Sequence, residues 1–214
     1  MGQRLIVYDF FAGTGSSTQA FEDAGHTVIK VELDQYFEAH ERDILTLTAH
    51  DLIAKYGQPD FVWASPPCTS FSVASIGHHW NLDKTPKTIQ ALNSIKLVEF
   101  TLNLIKDLNP KTWLLENPRG MLRKQTIMQG LEHRQITYCA YGDIRMKPTD
   151  IWGHVPNWVA RPSCKNGAPC HEAAPRGSKT GTQGLKGAKN RSMIPYGLGQ
   201  EILNKLSTEV IHRG

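Results

Sequence analysis

The chain has 214 residues, 40% of them hydrophobic and 21% charged, with a formal net charge of +4. That suffices for one domain of ordinary size with a packed core, and it excludes a disordered chain, a fibrous repeat and a disulfide scaffold. With no run of about 18 apolar residues to span a bilayer and no signal-peptide layout in Met1–Phe10, a cytoplasmic protein without a membrane partner is expected, its four cysteines serving as thiols, metal ligands or a nucleophile.

In chain order, Leu5–Asp9 reads as a strand, Ser17–Ala24 as a helix stopped at Gly25, and Thr27–Glu32 and Asp60–Ala64 as further strands. Leu92, Ile95, Val98, Leu102, Ile105 and Leu108 then recur at helical spacing until Asn109-Pro110 breaks the pattern. Thr112–Glu116 and Gln135–Ala140 read as two more strands. This alternation predicts an α/β fold, a doubly wound and mostly parallel sheet with helices on both faces and ligands at the carboxyl ends of the strands. Trp152–Arg191 is rich in Gly, Pro, Lys and Arg and predicts a long loop or small irregular module; Pro195–Ile211 predicts a closing helix that packs Leu198, Ile202, Leu203 and Leu206 on the sheet. The expected organisation is residues 1–151 as the main domain, 152–191 as the module and 192–214 as the closing helix.

Chemistry concentrates at the predicted strand ends. Asp9-Phe10-Phe11-Ala12-Gly13-Thr14-Gly15-Ser16-Ser17 is a glycine-containing turn that lets backbone approach a ligand, although alone it fits a plain tight turn as well. Glu32 and Asp34 close the second strand, where a carboxylate can accept from ribose hydroxyls; Asp43, followed by Ile44, fits a helix cap better than a ligand contact. In Ser65-Pro66-Pro67-Cys68-Thr69-Ser70-Phe71-Ser72 two prolines stiffen the backbone and present a thiol at the sheet edge, the placement of a nucleophile rather than of a small buried hydrophobe. Glu116-Asn117-Pro118 ends an apolar strand, so burial can lift the carboxyl into the range where it carries a proton; capping a helix is the other reading.

Together and in this order, the motifs resemble the cytosine-5 DNA methyltransferase family over about Leu5–Ile151, and more weakly in the closing helix. The resemblance implies a Rossmann-like domain binding S-adenosylmethionine through Asp9, Phe11, Ala12, Gly13, Thr14, Gly15, Glu32, Leu33, Asp43, Ile44 and Pro66. Its implied mechanism is that Cys68 adds to carbon 6 of cytosine while Glu116 protonates ring nitrogen 3, with Asn117, Arg145 and Lys147 beside them. Carbon 5 then takes the methyl group, and loss of its proton expels the thiol. In duplex DNA the base must first leave the stack. Thr69–Lys87, with Gly77, His78, His79, Lys84 and Lys87, is expected to be a mobile loop closing over it, both histidines exposed.

Three departures stand out: Thr69 follows the nucleophile where the family commonly has Gln, the Gln-x-Arg-x-Arg region aligns as Arg145, Lys147 and Thr149, and the chain is short for the family. Arg161–Arg191 holds seven Lys or Arg against one acid, Glu172, a net +6 that leaves −2 on the remainder. This segment is expected to contact double-stranded DNA phosphates, with Arg176-Gly177-Ser178 and Thr180-Gly181-Thr182 as donors, in place of a large recognition domain. Cys164, Cys170 and His171 form Cys-x5-Cys-His in a stretch too polar to fold by burial, so zinc is a candidate, with Cys139 or His154 as fourth ligand. RNA or a free nucleotide as substrate and a catalytically silent nucleic-acid binder are the alternatives; an amino-directed methyltransferase would place an aromatic residue where Cys68 stands. A bacteriophage or restriction-linked role is suggested by analogy, and nothing in the sequence sets an oligomeric state.

Overall fold

Side-chain alternation along short apolar strands decides the layers. The computed structural model describes residues 3–173 and 187–211. Its strands are β1 (Ile6–Phe10), β2 (Thr27–Val31), β3 (Phe61–Ala64), β4 (Thr112–Pro118), β5 (His133–Thr137) and β6 (Pro148–His154), in the sheet order β2-β1-β3-β4-β6-β5. On one face Tyr8, Phe10, Val62, Ala64 and Leu115 are buried under α2 (Ala49–Tyr56) and α4 (Ile89–Leu108), which contribute Leu52, Val98, Leu104, Ile105 and Leu108. On the other, Val7, Phe61, Trp63 and Leu114 meet Ala20 and Phe21 of α1 (Gln19–Asp23) and Leu198, Ile202, Leu203 and Leu206 of α6 (Tyr196–Ile211). Each such Val, Leu, Ile or Phe side chain contributes about 1.5–3 kcal/mol by leaving water.

The α/β architecture is as expected, but the sheet is mixed. β2, β1, β3 and β4 are parallel, whereas β6 runs antiparallel to both β4 and β5. β6 escaped the sequence reading because Pro148, Thr149 and Asp150 open it and mask its apolar half. The irregular stretch therefore starts later than Trp152: Trp152–His154 complete β6, and Val155 and Trp158 are buried in the second core. The fifth strand also ends early, at Thr137, giving way to a 3-10 turn over Tyr138–Tyr141. α2 went unread; Thr48 caps it, its Oγ1 accepting from the Asp51 N–H at 3.1 Å.

The segment after β3 is anchored rather than open. A turn at Val73–Ser75 leads into the short α3 (Ile76–His79), and the buried rings of Phe71 and Trp80 stack at 5.9 Å. Trp80 Nε1 donates to the Ser70 carbonyl at 2.7 Å. Contrary to expectation only His78 is exposed; His79 is buried, its Nδ1 2.8 Å from Oγ1 of Thr88, because it sits where α4 begins. Gly120 sets the floor of this segment: a Cβ there would lie 2.1 Å from the Phe71 carbonyl oxygen, to which Met121 N–H donates at 2.7 Å. Gly120→Ala is expected to destabilise the fold by about 1–3 kcal/mol in urea unfolding, whereas Gly77→Ala in α3, with open space around it, stays within about 1 kcal/mol.

Candidate active site

Strand register brings the strand-end residues together. Phe10 pairs with both Val31 and Ala64, and Ala64 pairs with Leu115. Phe11, Glu32 and Ser65 therefore leave the sheet in one row at its carboxyl edge, level with Glu116, which β4 carries on to pair with Ile151 of β6. The row spans the point where the chain, having gone outward from β1 to β2, returns to β3 on the other side, the usual place for a ligand crevice in such sheets.

At the β1 and β2 ends the loop bends through left-handed backbone at Phe11 (φ 61°), Gly13 (φ 50°) and Gly15 (φ 72°). For Phe11 that conformation costs about 1 kcal/mol or more, strain of the kind found at ligand sites. The Glu32 carboxylate accepts from Gly13 N–H at 2.8 Å and Asp34 N–H at 2.9 Å. Beneath the loop Asp9 is fully buried, its Oδ2 accepting from the hydroxyls of Ser17 and Thr18, both at 2.7 Å, while Oδ1 is buried without a partner. Burial lifts its carboxyl from 3.8 to about 6, against the two hydroxyl donors. Asp43 acts as a cap, Oδ1 accepting from Leu45 N–H at 3.0 Å; Ile44 is buried in the core and Leu33 is 67% exposed. A tie unmarked in the sequence closes this end, Ile194 N–H donating to Ser16 Oγ at 2.9 Å just before α6.

At the β3 and β4 ends Pro66 is buried and Cys68 partly exposed, while Thr69 is exposed and Cys68's carbonyl accepts from Phe71 and Ser72 N–H. Asn117 Nδ2 donates to the Pro66 carbonyl at 2.8 Å, holding the proline loop against β4. Glu116 is buried, and its Oε1 accepts from Tyr138 Oη at 2.8 Å. Burial raises the Glu116 carboxyl, opposed by the Lys147 ammonium and the Tyr138 hydrogen bond. The Cys68 thiol is raised by burial and by the negative charge of Glu116, with Lys147 acting the other way. Lys147 itself is pushed down by burial and sustained by Glu116 and Cys68. Its Nζ lies 4.4 Å from the Tyr138 ring centroid and donates to the Arg191 carbonyl at 3.1 Å.

Arg145 plays a different part from Lys147. Its buried guanidinium is taken up by the Asp143 carboxylate and by the carbonyls of Asn190, Arg191 and Met193. It thereby staples the segment around α5 (Ala188–Ser192) to the site. Tyr138, partner to Glu116, Lys147 and Arg145 alike, was missed in sequence because nothing distinguishes it there from an ordinary core aromatic.

A second cluster adjoins the first. Ligand atoms of Cys139, Cys164, Cys170 and His171 all lie within 4.8 Å of one another. The Cys164 and Cys170 sulfurs are 3.0 Å apart, and His171 Nδ1 is 3.5 Å from each. His154 is elsewhere, its Nδ1 2.8 Å from Glu132 Oε2. The residues Arg176-Gly177-Ser178 and Thr180-Gly181-Thr182 lie outside the described residues.

Residues 5–135 match the family described as C-5 cytosine-specific DNA methylase. The chain belongs to this family. A Frog virus 3 (isolate Goorha) protein named "Probable DNA (cytosine-5)-methyltransferase" is 32% identical over 175 residues, 76% of this chain and 78% of that protein. The type II methyltransferase M.DdeI of Desulfomicrobium norvegicum is 26% identical over 57% of this chain, which spans only 30% of it. In fold, the solved Entamoeba histolytica methyltransferase EhMeth superposes with a TM-score of 0.54 at 12% identity, covering 76% of this chain and 57% of that one.

For this C-5 cytosine-specific DNA methylase the methyl donor is S-adenosylmethionine, and the residues fit it: the Glu32 carboxylate, of the chemistry that can accept from a hydroxyl, stands beside the strained loop, and a Cβ at Gly13 would meet nothing within 4 Å, so the loop backbone is open to a ligand. Asp9, closed off from that space, supports the loop from below. Below about pH 3.8 its carboxyl is neutral in folded and unfolded chains alike; as pH rises through 6 the native state must bury a charge that the unfolded chain exposes freely. The difference corresponds to about 3 kcal/mol of stability lost on going to neutral pH. In urea unfolding at pH 3.5 and pH 7, the wild type is expected to lose about 2–3 kcal/mol more than Asp9→Asn between the two.

Proposed function

We propose that this protein methylates carbon 5 of cytosine in double-stranded DNA through a covalent bond to Cys68. The observation that carries this reading is the convergence of a proline-held thiol and a buried, protonatable carboxyl on one sheet edge. Cys68 attacks carbon 6 as a thiolate, formed by passing its proton to solvent and favoured by the Lys147 ammonium. Glu116, whose burial keeps a proton available, donates it to ring nitrogen 3, so the added electron pair is delocalised and carbon 5 becomes nucleophilic. Bound S-adenosylmethionine supplies the electrophilic methyl group. Loss of the carbon 5 proton to a base then re-forms the ring double bond and expels Cys68, and the nitrogen 3 proton returns to Glu116. Asn117 positions the nucleophile loop, and Arg145 positions the segment that Lys147 also holds.

Extruding the base costs about a few kcal/mol, which contacts to the DNA backbone must supply. In this reading the basic stretch beyond Trp158 meets phosphates, with salt-dependent binding and a short recognition site. The viral and type II relatives support a phage or restriction-linked role, and a thiol nucleophile working on DNA fits the reducing cytoplasm. Cys68→Ala is expected to lower methyl transfer by about 10⁴-fold or more while S-adenosylmethionine binding stays within about twofold. DNA carrying 5-fluorocytosine should trap the wild type covalently, since fluorine cannot leave as a proton. Turnover by Cys68→Ala, or modification of RNA but not DNA, would overturn the assignment.

Zinc completes the reading at Cys139, Cys164, Cys170 and His171. A tetrahedral ion with sulfur at about 2.3 Å sets its sulfur ligands roughly 3.7 Å apart; His171 Nδ1 already stands 3.5 Å from both sulfurs, and the Cys164 and Cys170 sulfurs, 3.0 Å apart, have to separate by about 0.7 Å to take it. Metal analysis of protein purified without chelator is expected to give about one zinc per chain, abolished in Cys164→Ser/Cys170→Ser. No zinc would remove it from the account.

A further inference from the structure

The metal-ligand cluster touches the catalytic centre at one point. Cys139 follows directly on Tyr138 in the 3-10 turn Tyr138–Tyr141, and the two side chains go to different places, Cys139 into the thiol cluster and Tyr138 onto Glu116. The rest of the cluster grips that turn from outside. Cys164 N–H donates to Thr137 Oγ1 at 2.9 Å, just before it, and Glu172 N–H donates to the Ile144 carbonyl at 2.9 Å, just after it. Arg161 donates from its backbone N–H to Tyr141 Oη at 3.0 Å and from its side chain to the Ala140 carbonyl at 2.8 Å. Yet none of residues 161–173 is buried, so this gripping segment has no apolar core of its own to hold it in place. A cross-link through a metal is the available substitute.

Resting on the zinc reading above, we infer that the ion is a positioning clamp for catalysis: by tying Cys139 to Cys164, Cys170 and His171 it holds Tyr138 where its hydroxyl engages Glu116 and its ring underlies Lys147. Tyr138 and the four ligands are then positioning residues whose loss weakens the chemical step. The donor loop stands at the ends of β1 and β2, away from β5 and β6 in the sheet, so donor binding is spared.

The test uses the full chain, purified with zinc, stripped with a chelator, and reloaded with zinc. Single-turnover methylation, the dissociation constant for S-adenosylmethionine and far-ultraviolet circular dichroism are read on each. Stripping is expected to slow the methyl-transfer step about tenfold or more, with donor affinity and spectrum retained and the rate restored on reloading. His171→Ala should behave as the stripped protein, and His171→Cys, which keeps four zinc ligands, should recover zinc and rate together. Tyr138→Phe should show a similar loss, and stripping it should cost no more than about threefold further, because the clamp acts through the lost hydroxyl. Zinc present at full occupancy with a rate indifferent to its removal, or losses from stripping and from Tyr138→Phe that multiply, would overturn the clamp while leaving the zinc site standing. Absence of zinc from the purified wild type would overturn both.

Discussion

A carboxyl group shut away from water needs a hydrogen-bond donor and a compensating charge, and at this strand end both come from the far side of the sheet. Glu116 stands on the last parallel strand just past its pairing with β3; its donor, Tyr138, follows β5, and the nearby ammonium, Lys147, precedes β6. The antiparallel half of the sheet is therefore the part that lets a protonatable acid sit buried next to the nucleophile. A Glu116 without Tyr138 and Lys147 would face the full cost of desolvation.

Two successive residues on β4 link the halves of the reaction. Glu116 holds the acid, and Asn117 holds the loop that carries Cys68 through the Pro66 carbonyl. A shift of β4 would thus move acid and nucleophile together, preserving their relation. Similar economy is visible around α5, where Arg145 and Lys147 both use the Arg191 carbonyl and Ile194 ties the same stretch to the donor loop. Here single residues serve two elements at once.

Much of this was legible locally. Gly13 and Gly15 marked the bend after β1, the paired prolines marked a rigid thiol, and the apolar strand before Glu116 marked a carboxyl at risk of burial. The spacing of Leu92 to Leu108 marked α4, which runs from Ile89 to Leu108. Elsewhere local signals misled. β6 opens on a proline and two polar residues, so its strand character became visible only in its pairing with β4 and β5. His79 stood in a polar stretch that looked exposed, yet Trp80 and Phe71 draw that stretch inward. Nor did any local pattern show that Arg145, aligned beside the catalytic pair, is taken up by Asp143 and three carbonyls.

By itself the sequence determined what each strand end carries, because glycine, proline and apolar runs act on backbone within a few residues of themselves. Which end meets which was decided by the tertiary structure. Tyr138 reaches Glu116 across 22 positions, and Cys139 joins Cys164, Cys170 and His171 only because the chain after β6 folds back over the turn that follows β5. Such meetings depend on the order and direction of strands in the sheet, which no local pattern of side chains encodes.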